Sequence, residues 1–358
     1  MLIAYLLGCL VIAFATVVFV LMRFTRRVAR RAEAAVPPDG QYLDIDGERL
    51  HYVDFGQGPA VVFIHGLCGQ LRNFAYLPLA ALARTHRVVL VDRPGSGYST
   101  RAPHRDGAIA AQASAIARLI DTLALERPLV VGHSLGGAVS LALALDLPQR
   151  VGALALIAPL TQPVSEVPAA FRALAIRSAR WRRWVGLTLA VPVGMMTGRT
   201  TLTHVFGPED APKDFLIRGG GVLGFRPGNF EASSVDILAA ERDMPGLAAR
   251  YASLSVPVDI LYGRGDRILD YRLQGETMPL ASERAANARG WGPHAARHAT
   301  RGDDAMAAGR CRTYVGAAIR RGAAQHDGVC ACGERRGIRC CARPPHEIRM
   351  GHVGTRAS

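Results

Sequence analysis

The segment VVGHSLGGAV places a serine where a backbone turn could present it as a nucleophile. Gly132, Ser134 and Gly136 fit the pattern G-x-S-x-G, with His133 beside the serine. An apolar strand-like run precedes the pattern and an alanine-rich run follows it, which is the strand, turn and helix order of a nucleophile elbow. A serine in an ordinary tight turn would account for the glycines alone. Because the motifs described below supply partners for a nucleophile, we predict the elbow.

A second segment, FIHGLCGQLRNF, predicts where negative charge would be stabilised. His65 and Gly66 follow an apolar strand-like run. In that position the backbone N–H groups of Leu67 and Leu135 could together bind the oxyanion of a tetrahedral intermediate. We interpret His65 as a residue that shapes this loop and Cys68 as a packed thiol without a nucleophilic role.

Two further motifs contain acidic residues. Asp266 lies in VDILYGRGD, in the loop after a late strand-like run, where a carboxylate can orient a histidine and stabilise its cation. Asp270, four residues later, fits a helix cap. Asp92 and Arg93, in VDRPGSGYS, are interpreted as residues that fix a loop.

The elements that must position these residues alternate between strand and helix. Short apolar runs end in loop residues, and helix-like patterns separate most of them, which predicts an α/β fold with a mainly parallel, doubly wound sheet. In such a sheet, ligands bind at the carboxyl ends of the strands, where the motifs lie. Asp46 and Gly47 predict a hairpin turn near the start. About ninety residues between IAPL and VDILYG predict a helical cap.

The ordered set HG, DRPGSGYS, GHSLGG and GRGD resembles the α/β-hydrolase superfamily, from about residue 41 to about residue 278. The resemblance implies that Ser134 is the nucleophile and Asp266 the acid of a Ser-Asp-His triad, with no metal and no organic cofactor. Because the elbow carries serine, relatives that form an aspartyl ester are disfavoured. The chain also resembles membrane-anchored monoacylglycerol lipases.

The same resemblance implies a histidine after one more strand. His294 in GWGPH follows Asp266 by 28 positions, although Pro293 departs from the usual glycine-histidine loop. His298 is the second candidate. The remaining late histidines lie in a region of weak pattern: His326, His346 and His352.

The tail after about residue 280 shows almost no periodicity and contains five of the seven cysteines. One hypothesis is a shifted reading frame. Codons for GPHAARHA exist from which deletion of one base restores G-H-M-L-P-V-T, a glycine-histidine followed by an apolar segment. A shift nearer Pro279 fits as well.

Residues 1–22 are uncharged and apolar, and they can span the hydrocarbon core of a bilayer. A cleaved signal peptide is the alternative, but its basic residues would precede the apolar run. Here five arginines follow it, so the positive-inside rule predicts a retained anchor with the folded body in the cytoplasm. The predicted segments are the anchor 1–22, a basic linker 23–40, core 41–161, cap 162–255, core 256–294 and an atypical tail 295–358.

Charge and composition limit the classes of binding partner and substrate that the chain can have. The chain carries a formal charge of +14, but residues 32–275 hold 24 basic and 22 acidic residues, so no nucleic-acid partner is expected. The cap segment combines apolar runs with arginine and tryptophan, as in an amphipathic cap helix or a lipid-facing one. A lipophilic carboxylic ester is the expected substrate. A carbon-carbon bond hydrolase and a tethered binding protein without turnover remain alternatives.

Overall fold

A mostly parallel sheet of seven strands organises the described part of the chain, residues 1–102 and 105–278 of a computed structural model. The spatial order is β1-β2-β4-β3-β5-β6-β7. The β1–β2 and β2–β4 pairs are antiparallel and the other pairs are parallel. The predicted α/β class is therefore confirmed. The strands are β1 (Gln41–Ile45), β2 (Glu48–Phe55), β3 (Ala60–Ile64), β4 (Arg87–Val91), β5 (Leu129–His133), β6 (Ala153–Ile157) and β7 (Val258–Leu261).

Helices cover both faces of the sheet. They are α1 (Leu2–Ala35), α2 (Leu79–Leu82), α3 (Ile109–Thr122), α4 (Leu135–Asp146), α5 (Ala179–Thr188), α6 (Ala190–Phe206) and α7 (Pro227–Ala248). The predicted hairpin turn joins β1 to β2, with positive φ at Asp46 (47°) and Gly47 (79°). Two residues with positive φ match the twist of the flanking strands.

The central strands read as unbroken apolar runs because both of their faces are covered. Every residue of β3 and β6 is buried. One face packs against α3 and α4, and the other packs against the segment 71–83. The carboxyl ends of β3, β5 and β7 consequently meet at one edge, with the loops that carry the predicted site residues.

The first helix continues beyond the apolar stretch. α1 runs for 34 residues through the basic segment to Ala35, just before Val36 and the prolines that end helical geometry. It is long and apolar enough to cross a membrane. Residue 22 is thus the point within one helix at which apolar side chains give way to basic ones. The segment boundaries inferred from the sequence remain predictions.

The cap lies between β6 and β7 and contains α5, α6 and α7. Helix α7 lies close to the core, since a β-carbon on Gly95 would stand 3.0 Å from Cβ of Ala232. A β-carbon on Gly107 would stand 2.7 Å from Cγ1 of Val235. The cap and the strand-end loops therefore touch directly at α7.

Candidate active site

Ser134 occupies a strained turn between β5 and α4. Its backbone angles, φ 51° and ψ −120°, are rare for a residue with a side chain and cost on the order of 1–3 kcal/mol. The turn is fixed from both sides: the Ser134 N–H donates to the Ile157 carbonyl (3.1 Å), and the Ser134 carbonyl accepts from the N–H groups of Gly137 (2.8 Å) and Leu160 (2.9 Å). The serine side chain remains partly exposed at the carboxyl edge of the sheet.

The glycines around Ser134 leave no room for side chains. A β-carbon on Gly132 would lie 2.5 Å from Oγ of Ser140, and one on Gly136 would lie 2.2 Å from the Ile64 carbonyl oxygen. Gly137, which the sequence pattern did not single out, is equally enclosed, since its β-carbon would lie 2.4 Å from Cβ of Pro159. Strand β5 and helix α4 can approach this closely only because glycine occupies these positions.

The loop after β3 lies against the elbow. A β-carbon on Gly66 would stand 2.9 Å from Cβ of Ser134. The Gly66 carbonyl accepts hydrogen bonds from Nη2 of Arg93 (2.9 Å) and from the N–H of Gly69 (3.2 Å). Since the Gly66–Leu67 peptide is trans, its N–H is directed away from those partners.

Two backbone N–H groups are available beside the serine. Leu135 is the first residue of α4, where a helix leaves its N–H without an intrahelical acceptor. Among the described residues, no hydrogen bond engages the N–H of Leu67 or that of Leu135. These are the two donors that the sequence predicted for an oxyanion.

His65 is a neutral structural residue. Its Nε2 accepts the Arg93 N–H at 3.0 Å, so its proton lies on Nδ1, which donates to the Gly66 carbonyl at 2.9 Å. Burial, reinforced by the Arg93 cation, holds the pKa of His65 well below its usual range. Both nitrogens are engaged within the loop, which agrees with a shaping role.

Asp266, the predicted acid, lies in the loop after β7. Oδ1 of Asp266 accepts the N–H groups of Ile268 (2.8 Å) and Leu269 (3.0 Å). Oδ2 has no hydrogen-bond partner within the described residues. Burial lowers the pKa of His133, and the Asp266 charge opposes that shift. Strand β7, which leads to Asp266, pairs in parallel with β6, and β6 pairs in parallel with β5, so the Asp266 loop emerges at the same edge of the sheet as the Ser134 turn.

An open cleft of about 630 Å³ borders Asp266. Its lining is rich in charge and comes from one stretch of chain: Arg264, Asp266, Arg267, Ile268, Asp270, Tyr271 and Arg272. Asp270 accepts the N–H of Arg272 at 2.9 Å, which fits the predicted capping role. The predicted proton carrier, His294, lies outside the described residues, as do His298 and the later histidines.

The DRPG loop is fixed by a buried acid. Asp92 accepts the N–H of Leu71 (2.7 Å) and of Tyr98 (2.9 Å), and its Oδ2 lies 2.8 Å from Nδ1 of His51. Asp92 therefore supports the loops around the site and does not reach into it. His51, which the sequence analysis missed, shares no motif with the site residues that would have indicated it.

Cys68 follows the two loop residues beside the serine. Part of its surface reaches solvent, but desolvation of the thiol raises the pKa of Cys68 to about 11. The thiolate is thus scarce at neutral pH, and Cys68 is unsuited to nucleophilic attack. Within residues 1–102 and 105–278, no group of three or more histidine, cysteine or acidic residues could hold a metal ion.

Comparison with known proteins places these features in a family. Residues 59–278 match the alpha/beta hydrolase fold. Over 121 residues the chain is 44% identical to the dihydrolipoyllysine-residue acetyltransferase component of the acetoin cleaving system of Cupriavidus necator, covering 33% of this chain and 32% of the relative. The chain therefore spans about a third of the length of that relative.

A second relative aligns over more of the chain. It is 2-hydroxy-6-oxononadienedioate/2-hydroxy-6-oxononatrienedioate hydrolase 2 of Pseudomonas putida, 29% identical over 227 residues, with 62% of this chain and 76% of the relative covered. Among solved structures, a membrane phospholipase A shares the fold with a TM-score of 0.53 and 20% identity, covering 78% of this chain and 88% of that one. The chain belongs to the α/β-hydrolase family.

Proposed function

We propose that this protein is a membrane-anchored serine hydrolase that cleaves a lipophilic carboxylic ester. One observation carries the proposal: Ser134, in a strained turn, faces a loop whose Leu67 N–H engages no hydrogen bond among the described residues, and the loop with Asp266 follows a parallel strand of the same sheet. A nucleophile, two oxyanion donors and an orienting acid thus come from three different strand ends.

The proposed reaction passes through an acyl-enzyme. Ser134 Oγ attacks the ester carbonyl while a histidine accepts its proton, and Asp266 holds the tautomer of that histidine. The N–H groups of Leu67 and Leu135 bind the oxyanion. The protonated histidine then donates its proton to the departing alcohol, and water releases the acid by the same route.

The histidine in this scheme is His294 or its in-frame equivalent. Sequencing the coding DNA across codons 275 to 300 decides between them. If the coding DNA contains a surplus base, the native sequence has glycine-histidine followed by an apolar segment at this point. The present tail would then have no part in the proposed function. An unchanged reading would leave His294 to complete the triad from a loop that contains Pro293.

The membrane anchor in this proposal is the first part of α1. The helix is about 51 Å long, and no residue of its apolar window is buried in the protein, as a lipid-facing surface requires. The arginines that follow the apolar stretch favour an orientation with the folded body on the cytoplasmic side.

The second half of α1 is packed on the body, which supports a fixed orientation at the membrane. Oγ1 of Thr25 donates to the carbonyl of Thr188 at the end of α5 (3.4 Å). Further along, Glu33 pairs with Arg226 at 2.8 Å. Thr25 lies only three residues after Met22, so the α5–α6 junction sits about 5 Å along the helix axis from the end of the apolar stretch.

The exposed side of α6 supports a lipophilic substrate. Leu189, Val193 and Met196 share one face at intervals of four and three residues, and all are exposed. This face begins directly after Thr188, beside the anchor. An apolar cap surface held near the bilayer favours substrates that partition into the bilayer.

Ester turnover by the full chain in lipid nanodiscs tests the proposal. We expect hydrolysis of a monoacylglycerol and of p-nitrophenyl butyrate, and loss of both in the Ser134→Ala variant. Ser253→Ala, which should retain turnover, is the matched control, since Ser253 Oγ is exposed and donates to the Arg250 carbonyl away from the turn at Ser134. Turnover retained by purified Ser134→Ala would refute the nucleophile.

A carbon-carbon bond hydrolase is the second candidate, favoured by the 29% identical Pseudomonas putida relative. Such an enzyme would use the same order of serine, acid and histidine. Assay of a vinylogous diketone beside the simple esters separates the two reactions. Cleavage of the diketone without ester hydrolysis would favour the second candidate.

A further inference from the structure

Arg93 joins three parts of the molecule through one buried side chain. Its Nε donates to the His65 carbonyl (2.9 Å) and its Nη2 to the Gly66 carbonyl (2.9 Å). Its Nη1 donates to Oε1 of Gln112 (2.6 Å) and to Oδ2 of Asp236 (2.7 Å). The side chains of Arg93 and Asp236 are both 0% exposed.

The two carbonyl contacts orient a predicted catalytic donor. Gly66 and Leu67 share a planar trans peptide, so fixing the Gly66 carbonyl also fixes the direction of the Leu67 N–H. An oxyanion donor is effective only when it points at the developing charge before the reaction begins. Arg93 thus acts on the oxyanion site without touching a substrate.

The counter-ion of Arg93 belongs to the cap. Asp236 lies on α7, and it also accepts from Arg101, whose Nη2 pairs with Oδ1. A buried guanidinium needs a carboxylate partner, because an uncompensated charge in the interior is strongly unfavourable. The position of α7 is therefore tied to the arginine that holds the Gly66–Leu67 peptide.

We propose that Asp236 is a positioning residue for catalysis: through Arg93, the cap helix α7 sets the direction of the Leu67 N–H in the oxyanion site. This inference rests on the proposed ester hydrolysis. It assigns to the cap a role in the chemical step in addition to covering the substrate.

The test compares Asp236→Asn with Glu241→Gln in the detergent-solubilised full chain. Glu241 lies on the same helix but pairs at the surface with Arg177. With p-nitrophenyl butyrate, we expect Asp236→Asn to lower kcat by about 10- to 100-fold with little change in KM. Glu241→Gln should remain within about twofold of the wild type.

A boronic acid that forms a tetrahedral adduct on the serine provides a second readout. Its Ki should rise in parallel with the loss of kcat/KM, since both depend on the oxyanion donors. A purely structural role would not produce this parallel.

A double variant separates positioning from stability. Arg93→Gln combined with Asp236→Asn removes the fully buried cation together with its carboxylate and leaves only Arg101, whose side chain is 9% exposed, without that partner. The double variant should therefore melt closer to the wild type than Asp236→Asn alone, while kcat stays at least about tenfold reduced. If the double variant folds and its kcat returns to within twofold of the wild type, the inference is wrong. If the wild type itself hydrolyses no ester, the proposed function fails instead.

Discussion

Gly66 stands so close to Ser134 that a β-carbon on the glycine would lie 2.9 Å from the β-carbon of the serine. The same added atom would lie 3.1 Å from Nδ1 of His133. The loop after β3 and the turn at Ser134 are therefore in direct contact. The absence of a side chain on Gly66 allows these two parts of the predicted site to meet.

Gly66→Ala should reduce ester turnover by about 100-fold or more, because the methyl group must displace either Ser134 or the loop. Steady-state kinetics with p-nitrophenyl butyrate measures this loss. Gly224→Ala is the control, since no atom of the described residues lies within 4 Å of its added β-carbon. Wild-type turnover by Gly66→Ala would show that this contact does not shape the site.

Asp266→Asn should lower kcat by about 10³- to 10⁴-fold, because an amide can no longer stabilise the histidine cation or hold its tautomer. Asp270→Asn removes a neighbouring carboxylate that accepts the Arg272 N–H. We expect a much smaller effect there. Equal losses in the two variants, measured under saturating substrate, would contradict the assignment of Asp266 as the acid.

Acidification should destabilise the fold partly through His65. The unfolded histidine titrates near 6.5, whereas burial lowers the folded-state pKa. Between those two values the unfolded state binds more protons, so stability is complete above the unfolded pKa and is lost as pH falls toward the folded one.

The loss amounts to at most about 1.4 kcal/mol for each pH unit in that window. Thermal melts from pH 7.5 to 5 should therefore show a smaller decline of Tm in His65→Asn than in the wild type. His204→Asn, at an exposed position of α6, should preserve the wild-type slope. If His65→Asn does not change the slope of Tm against pH, His65 does not contribute to acid destabilisation.

The anchor can be located by fluorescence quenching. A Phe14→Trp variant of the full chain, placed in nanodiscs with brominated acyl chains, should lose most of its added emission, because Phe14 lies within the apolar stretch. Glu126→Trp, at an exposed position before β5, should not be quenched. Equal emission of Phe14→Trp in brominated and unbrominated lipid would exclude insertion of α1.

The sequence was informative wherever a local pattern required a particular backbone. Asp46–Gly47 predicted the hairpin, and Gly132 and Gly136 flanked the turn at Ser134, because positive φ and close packing restrict residue choice strongly. The apolar runs predicted β3 to β6 because a strand covered on both faces carries no polar alternation. The run that predicted β7 forms a strand whose residues are only partly buried.

Side-chain contacts between residues far apart in the chain could not be predicted from the sequence. Nothing near Arg93 indicates that its counter-ion lies 143 positions later, on a helix of the cap. The packing of Thr25 against Thr188 is likewise a tertiary contact without a local signal. The sequence predicts a basic linker over residues 23–40, with prolines that block continuation of the helix. In the structure, α1 continues through the arginines to Ala35, just before those prolines.

Reaction of the full chain with a fluorophosphonate tests whether Ser134 is an activated nucleophile, since the reagent labels a serine only where a base and oxyanion donors activate it. We predict one adduct per chain, located on Ser134 by peptide mass spectrometry, with loss of ester turnover in proportion to labelling. A folded protein that remains unlabelled at Ser134, or one that is labelled there and still hydrolyses esters at its original rate, would show that Ser134 is not the nucleophile of a serine hydrolase.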